Sequence, residues 1–241
     1  KKEVNISNYP FATIDPNVGV VQVPDERLEK LAKLSGSAKV VPTVVEFADI
    51  AGLVKGANKG EGLGNKFLSH IRDVDAIVQV VRCFEKSDII HVENEVNPAR
   101  DIDTVTTELI LKDLETIERR LQNIEKDMRA QKKGAVEEQQ LLEDIQSALN
   151  KGISVFQYVK ENQKAKEHIQ DLHFLTAKPM LYLLNTDKDT IDAGLLKKIE
   201  DLESSFVMMN IKEELESISL SPEEVRELGV KLKLQELIKK S

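Results

Sequence analysis

Asp49-Ile50-Ala51-Gly52-Leu53 stands directly behind the apolar run Val40 to Ala48, and its reading decides the fold. A carboxylate at the end of a strand, with a glycine three residues on, is what a nucleotide hydrolase needs beside a terminal phosphate. The Asp can hold the hydration shell of Mg²⁺, and the Gly amide can approach a γ-phosphate oxygen because no Cβ stands in the way. Asp-x-x-Gly alone also describes an ordinary turn after a strand. Two neighbours weigh against the turn. Downstream, Lys55 to Gly64 carries Gly56, Gly60, Gly62 and Gly64 in a polar loop too long for a turn. Upstream, Asn8 to Asn17 is a Pro-stiffened loop whose Thr13 hydroxyl can ligate Mg²⁺ when a triphosphate is bound, so that the loop orders as a switch.

Strand-length apolar runs occur at Val18 to Val23, Val40 to Ala48, Ala76 to Phe84 and Met180 to Leu184, with a weaker one at Phe206 to Met209. Runs without strict alternation predict strands covered on both faces, as in a sheet layered between helices. Between the third and fourth runs the pattern changes. Ile110, Leu114, Ile117, Leu121, Ile124 and Met128 are spaced as the a/d seam of a coiled coil. Gly134 interrupts, and Leu142, Ile145, Leu149, Ile153, Phe156 and Val159 form a second helical stripe. Together they predict an antiparallel helical hairpin inserted in an α/β domain. Glu115, Glu118, Arg119 and Arg120 read as its solvated face. The expected boundaries are residues 1–102 and 172–241 for the two parts of the α/β domain and 103–171 for the hairpin. The tail from Ser221 reads as a capped helix and then a charged end.

Composition narrows the function. The 241 residues carry 34 Lys and Arg against 42 Asp and Glu, a net charge of −8, which excludes a globally basic nucleic-acid wrapper. RNA contact would be local, at a Lys-rich patch such as Lys126 to Lys133. Apolar runs such as the five residues Met180 to Leu184 fall far short of the roughly 20 needed to cross a bilayer, so no membrane partner is expected. The single Cys83 has no internal disulfide partner, and no signal-peptide pattern opens the chain, which together point to the cytoplasm. Cys83, in an apolar strand, reads as a small buried hydrophobe.

In Asn8 to Asn17, Asp49 to Leu68, Arg82-Cys83-Phe84-Glu85 and Thr107-Glu108-Leu109, the chain resembles the Obg-like ATPases, or YchF family, of translation-factor-class P-loop NTPases. The resemblance spans most of the chain. It implies a Ras-like P-loop NTPase sheet with an inserted coiled-coil hairpin, Mg²⁺ and ATP or GTP as cofactors, a low intrinsic hydrolysis rate, and the ribosome as partner. Thr13 matches the family's switch I Mg²⁺ threonine, and Asp49 with Gly52 the switch II motif. Leu53 stands where Ras-like GTPases carry a water-orienting Gln, and an aliphatic side chain orients no water. His70 matches a histidine proposed for that role, against the alternative of an ordinary surface-facing helix residue; His91, His168 and His173 are left structural.

Asn185 matches the base-contacting Asn after the fourth strand. Ras-like GTPases place Asn-Lys-x-Asp there, and the Obg-like family tends to Asn-x-x-Glu. Asn185-Thr186-Asp187-Lys188 fits neither, so a carboxylate reader is missing or displaced to Asp187, guanine selectivity is unsupported and ATP is favoured by family. The family's later base loop is only loosely visible at Asn210-Ile211-Lys212. No Gly-x-x-x-x-Gly-Lys-[Ser/Thr] occurs; by resemblance the phosphate loop belongs ahead of Lys1, and a β-rich TGS domain beyond Ser241. The alternatives are a GTPase of the same fold and a catalytically inactive protein-interaction scaffold.

Overall fold

The computed structural model describes residues 17–50, 63–85, 95–227 and 232–241, with side chains from Leu68 onward in the second span and none for Pro222. The expected switch positions Thr13 and Gly52 and most of the glycine-rich loop lie outside the described residues, as does His91. Two sheets form. β1 (Asn17–Gln22) and β2 (Val44–Asp49) pair antiparallel, Asn17 opposite Asp49. β3 (Ile77–Arg82), β4 (Met180–Asn185) and β5 (Ser205–Met209) pair parallel in the order β3-β4-β5.

β4 is the central strand, and its two faces enter different cores. Tyr182 and Leu184 pack with Val81, with Ile102 of α3 (Pro98–Arg129) and with Leu195 and Ile199 of α7 (Ala193–Asp201). Leu181 and Leu183 pack with Val207, Met209 and Leu237 of α10 (Leu234–Lys240). A strand buried on both faces has no need to alternate polar and apolar residues, which is why Met180 to Leu184 reads as an unbroken apolar run.

The antiparallel pair departs from the expectation of two-sided cover. Val18 and Val20 are 58% and 60% exposed and share a face with Val44 and Glu46, while Val21, Val45 and Phe47 on the other face are half-buried. One covered face suffices for an antiparallel ribbon. β2 also starts four residues later than the apolar run. Pro42 offers no N–H, and the ladder toward it ends with Val23 N–H donating to Thr43 O at 2.8 Å.

The helical segment opens at Pro98, earlier than expected. Asn97 accepts from Arg100 N–H and Pro98 occupies the first turn, where its missing N–H costs nothing. α3 then runs for 32 residues, and Ile110, Ile117 and Ile124 meet Leu142, Ile145 and Leu149 of α4 (Ala135–Asn150). Gly134 takes φ 85° at the reversal, a conformation that favours glycine. Arg120 grips Glu138 across the pair with two charge-assisted bonds of 2.6 and 2.7 Å. The second stripe is broken where the sequence pattern had it continuous. α4 ends at Asn150, Gly152 turns with φ 80°, and Ile153 is 41% exposed; Val155 enters the core instead, at the start of α5 (Val155–Glu161), with Ser154 and Gln157 closing a capping box.

α2 (Leu63–Arg72) buries Leu68 and Ile71 against Leu109 of α3 and against Leu175. At its carboxyl end the Lys178 ammonium donates to the carbonyls of Arg72, at 3.0 Å, and of Val74, while Arg72 Nη2 donates to Thr116 Oγ1 at 3.2 Å. Beside this junction lies Asp113, 1% exposed. Its carboxylate accepts from Leu175 N–H at 2.8 Å, Thr176 N–H at 2.8 Å and Thr176 Oγ1 at 2.7 Å. The Thr176 hydroxyl in turn accepts from Val155 N–H at 3.1 Å. α3, the start of α5 and the entrance to β4 are thus joined at one buried point. In the carboxy-terminal part, Ser221 and Glu224 form the cap expected there, opening α9 (Pro222–Glu227). No helix among the described residues is long and apolar enough to cross a membrane.

Replacing Asp113 with Ala strands three buried donors, so urea unfolding should show a loss on the order of 3 kcal/mol. Burial also pushes the Asp113 carboxyl up to about 6, against the pull of the Thr176 and Leu175 donors. The native state then holds this proton to higher pH than the unfolded chain, and the carboxyl's share of stability falls as pH rises from about 4 to 6. Unfolding curves of Asp113→Asn collected across that window should lack that share of the decline.

Candidate functional site

Parallel strands bring their carboxyl ends to one edge, and in open α/β sheets ligands bind outside that edge. Here the edge is built from Arg82, Asn185 and Met209, aligned Arg82 opposite Asn185 and Asn185 opposite Met209. Arg82 folds over its own turn, with Nε donating to Phe84 O at 3.1 Å and its guanidinium 4.8 Å from the Phe84 ring centre.

Asn185 is fixed from both sides. Its carbonyl accepts from Cys83 N–H at 2.8 Å, and its side-chain Oδ1 accepts from Ile211 N–H at 3.2 Å. A backbone N–H can only donate, so the carboxamide oxygen must face Ile211, and the Nδ2 amine is left as the outward donor. The same bond brings the weakly legible segment Asn210-Ile211 directly against Asn185. Asn210 caps α8 (Ile211–Ser217) by accepting from Glu213 N–H at 3.3 Å. Next to it, Thr186 is buried, its N–H donating to Met209 O at 3.0 Å and its Oγ1 accepting from Lys188 N–H at 3.1 Å. Asp187 and Lys188 are exposed on the loop that follows.

Asp49 ends β2, its side chain exposed to solvent. A solvent-facing carboxylate after a strand suits water-mediated cation binding. Ile50, the next residue, packs on the cluster that holds α2.

His70 is placed elsewhere. It lies in the last turn of α2, two residues before the Arg72 carbonyl that Lys178 bonds, and Lys178 stands just ahead of β4. Ile77, the first residue of β3, donates its N–H to Pro179 O at 3.0 Å, so this junction adjoins the amino ends of the strands. From there to Asn185 is the length of β4, about 17 to 20 Å for its six residues. His70 also stands some 130° around the helix from the packed Leu68 and Ile71. His70 is half-buried there, at the end of the sheet opposite the one that carries Asn185. The sequence placed it after the glycine loop correctly but could not show at which edge the helix ends.

Cys83 is half-buried, and its thiol is pushed up to about 11 by burial and by Asp101. A thiol so rarely ionised is a poor nucleophile, in keeping with its reading as a small hydrophobe.

A family model described as 50S ribosome-binding GTPase matches residues 1–127. A solved structure, the YchF GTPase of Schizosaccharomyces pombe, superposes with a TM-score of 0.76 at 35% identity, covering 98% of this chain and 67% of that one. The chain belongs to the YchF family. Among curated relatives, the ribosome-binding ATPase YchF of Bacillus subtilis (strain 168) is 50% identical over 187 residues, 77% of this chain and 50% of that protein. The protein of the same name from Buchnera aphidicola subsp. Schizaphis graminum is 39% identical over 223 residues, 91% and 61%. The chain thus spans about half the length of the curated relatives it matches. The Ras-like α/β architecture expected from the sequence agrees with this YchF membership.

The two loops at the Asn185 edge give a direct test. Asn185→Ala removes the acceptor of Ile211 N–H, and hydrogen exchange at that amide should quicken roughly tenfold, the change expected for losing one hydrogen bond.

Proposed function

We propose that the chain is the nucleotide-handling part of a Mg²⁺-dependent nucleoside triphosphatase that prefers ATP. The observation that carries this reading is the orientation of Asn185 at the carboxyl edge of the parallel sheet. Its oxygen is committed to Ile211 N–H, so its Nδ2 can donate outward to a ring nitrogen such as purine N7. That contact selects a purine and does not separate adenine from guanine. Guanine would further need an acceptor for its N1–H and N2–H, and the fourth position of the motif holds Lys188, which can only donate. Asp187 is the nearest carboxylate in sequence, and ATP is preferred on this balance. The curated relatives are named ATPases; the fission-yeast relative is named a GTPase, so the same fold supports that second reading.

Asp49 would hold Mg²⁺ through its hydration shell and Thr13 would ligate it, while the Gly52 amide would approach the γ-phosphate. When bound, Mg²⁺ neutralises charge on the β- and γ-phosphates. The chain's own contribution is to position the base through Asn185 and to place the Asp49 carboxylate at the end of β2. Leu53 supplies no group to orient water, which leaves His70 as the candidate for that role, and the rate is low and comes mainly from positioning and charge neutralisation. The switch segments Asn8 to Asn17 and Asp49 to Gly64 would order around triphosphate and relax after hydrolysis.

The partner we assign by family is the ribosome, in the cytoplasm. The reversal between α3 and α4 presents exposed Lys126, Arg129, Lys132 and Lys133, a local basic surface on an otherwise acidic chain that suits RNA phosphates. Asp127 and Glu125 pair with Lys132 and Arg129 at 3.5 and 3.6 Å and temper that charge. Titrating the intact protein with MgATP and MgGTP by calorimetry tests the nucleotide reading. MgATP should bind at least about tenfold more tightly, the ratio given by one well-made hydrogen-bonding difference; equal or tighter MgGTP binding would assign the guanine reading instead.

A further inference from the structure

The residue after Asn185 is Thr186, which no motif of the sequence assigned. Thr186 is 4% exposed, in a loop whose next two residues lie open to solvent. A buried polar side chain has to be hydrogen-bonded, and Thr186 meets that demand within its own loop. Its Oγ1 accepts from Lys188 N–H at 3.1 Å, the two-residue hydroxyl turn that Ser and Thr form readily. Its backbone N–H donates to Met209 O at 3.0 Å, the last residue of β5. One residue earlier, Asn185 Oδ1 accepts from Ile211 N–H at 3.2 Å.

The bonds to Met209 O and from Ile211 N–H cross between residues 185–188 and 209–211 and fasten one segment to the other, while the Lys188 bond closes the turn itself. Two of the three pass through Thr186. With its side chain turned into the protein, the residue after the base-contacting Asn shapes the loop instead of covering a ligand. The spacing of the two loops determines where the Asn185 Nδ2 donor stands, and a donor displaced by a fraction of an ångström makes a poorer bond.

We propose that Thr186 is a positioning residue of the purine site, its hydroxyl building the 186–188 turn and its amide tying that turn to β5. This rests on the nucleotide reading above and adds a specific residue to it. Valine has nearly the shape of threonine and lacks the hydroxyl acceptor; serine keeps the acceptor.

The experiment compares the intact wild-type protein with Thr186→Val and Thr186→Ser, measuring MgATP binding by calorimetry, KM and kcat for phosphate release, and hydrogen exchange at Lys188 N–H. In Thr186→Val, the dissociation constant and KM should rise roughly tenfold with kcat little changed, and exchange at Lys188 should quicken. In Thr186→Ser, binding and exchange should stay within about threefold of wild type. A purely structural role would lower stability without the split between KM and kcat or the recovery with serine. Thr186→Val binding MgATP as tightly as wild type would overturn the role of Thr186 alone. A wild-type protein that binds neither MgATP nor MgGTP would overturn the nucleotide reading, and the role of Thr186 with it.

Discussion

The Asp113 carboxylate lies where the chain leaves the helical hairpin and enters β4, accepting from Leu175 N–H, Thr176 N–H and the Thr176 hydroxyl. A charge-bearing group at such depth is tolerated only where every acceptor site finds a donor, so its three partners are held to one geometry. That geometry sets where β4 begins. Lys178, two residues after Thr176, then reaches the carbonyls at the end of α2, and Met180 pairs with Ile77 to start the parallel ladder. Once this register is set, Asn185 must fall beside Arg82 and Met209.

The carboxyl edge of the sheet is therefore positioned from the opposite end of the strand. The helical hairpin buries Ile110, Ile117, Ile124, Leu142, Ile145 and Leu149 in a core of its own, yet it returns to the sheet through the same Asp113 junction. α3 spans both regions, with Ile102 under the sheet and Ile124 near the hairpin reversal. One continuous helix of 32 residues, about 48 Å long, joins the parallel sheet to the basic reversal.

Local pattern made much of this legible. The six-residue seam of α3 is written in side-chain spacing, and the Gly134 reversal follows from the glycine that a left-handed residue favours. Asn185 was legible as a motif position. What the sequence does not carry is pairing at long range. Asp113 finds its partners 62 and 63 residues away, and Lys178 finds its partners 104 and 106 residues away, so neither has a local signature. The edge on which His70 falls follows from that second pairing, so the sequence around His70 could not show it. The break after α4 has no mark in the apolar spacing, because Ile153 keeps the stripe's period while Gly152 turns the backbone away from it. Thr186 did have a local signal, a hydroxyl two residues before an amide that it can accept from, and burial was needed to show that the turn forms.

Phosphate release by the intact protein, followed with ATP in the presence of Mg²⁺ and again after chelation, tests the triphosphatase most directly. Slow release that requires Mg²⁺ and disappears on chelation is the predicted result. Release that is indifferent to Mg²⁺, or none above the spontaneous rate, would contradict the account and leave the chain a scaffold for its partners.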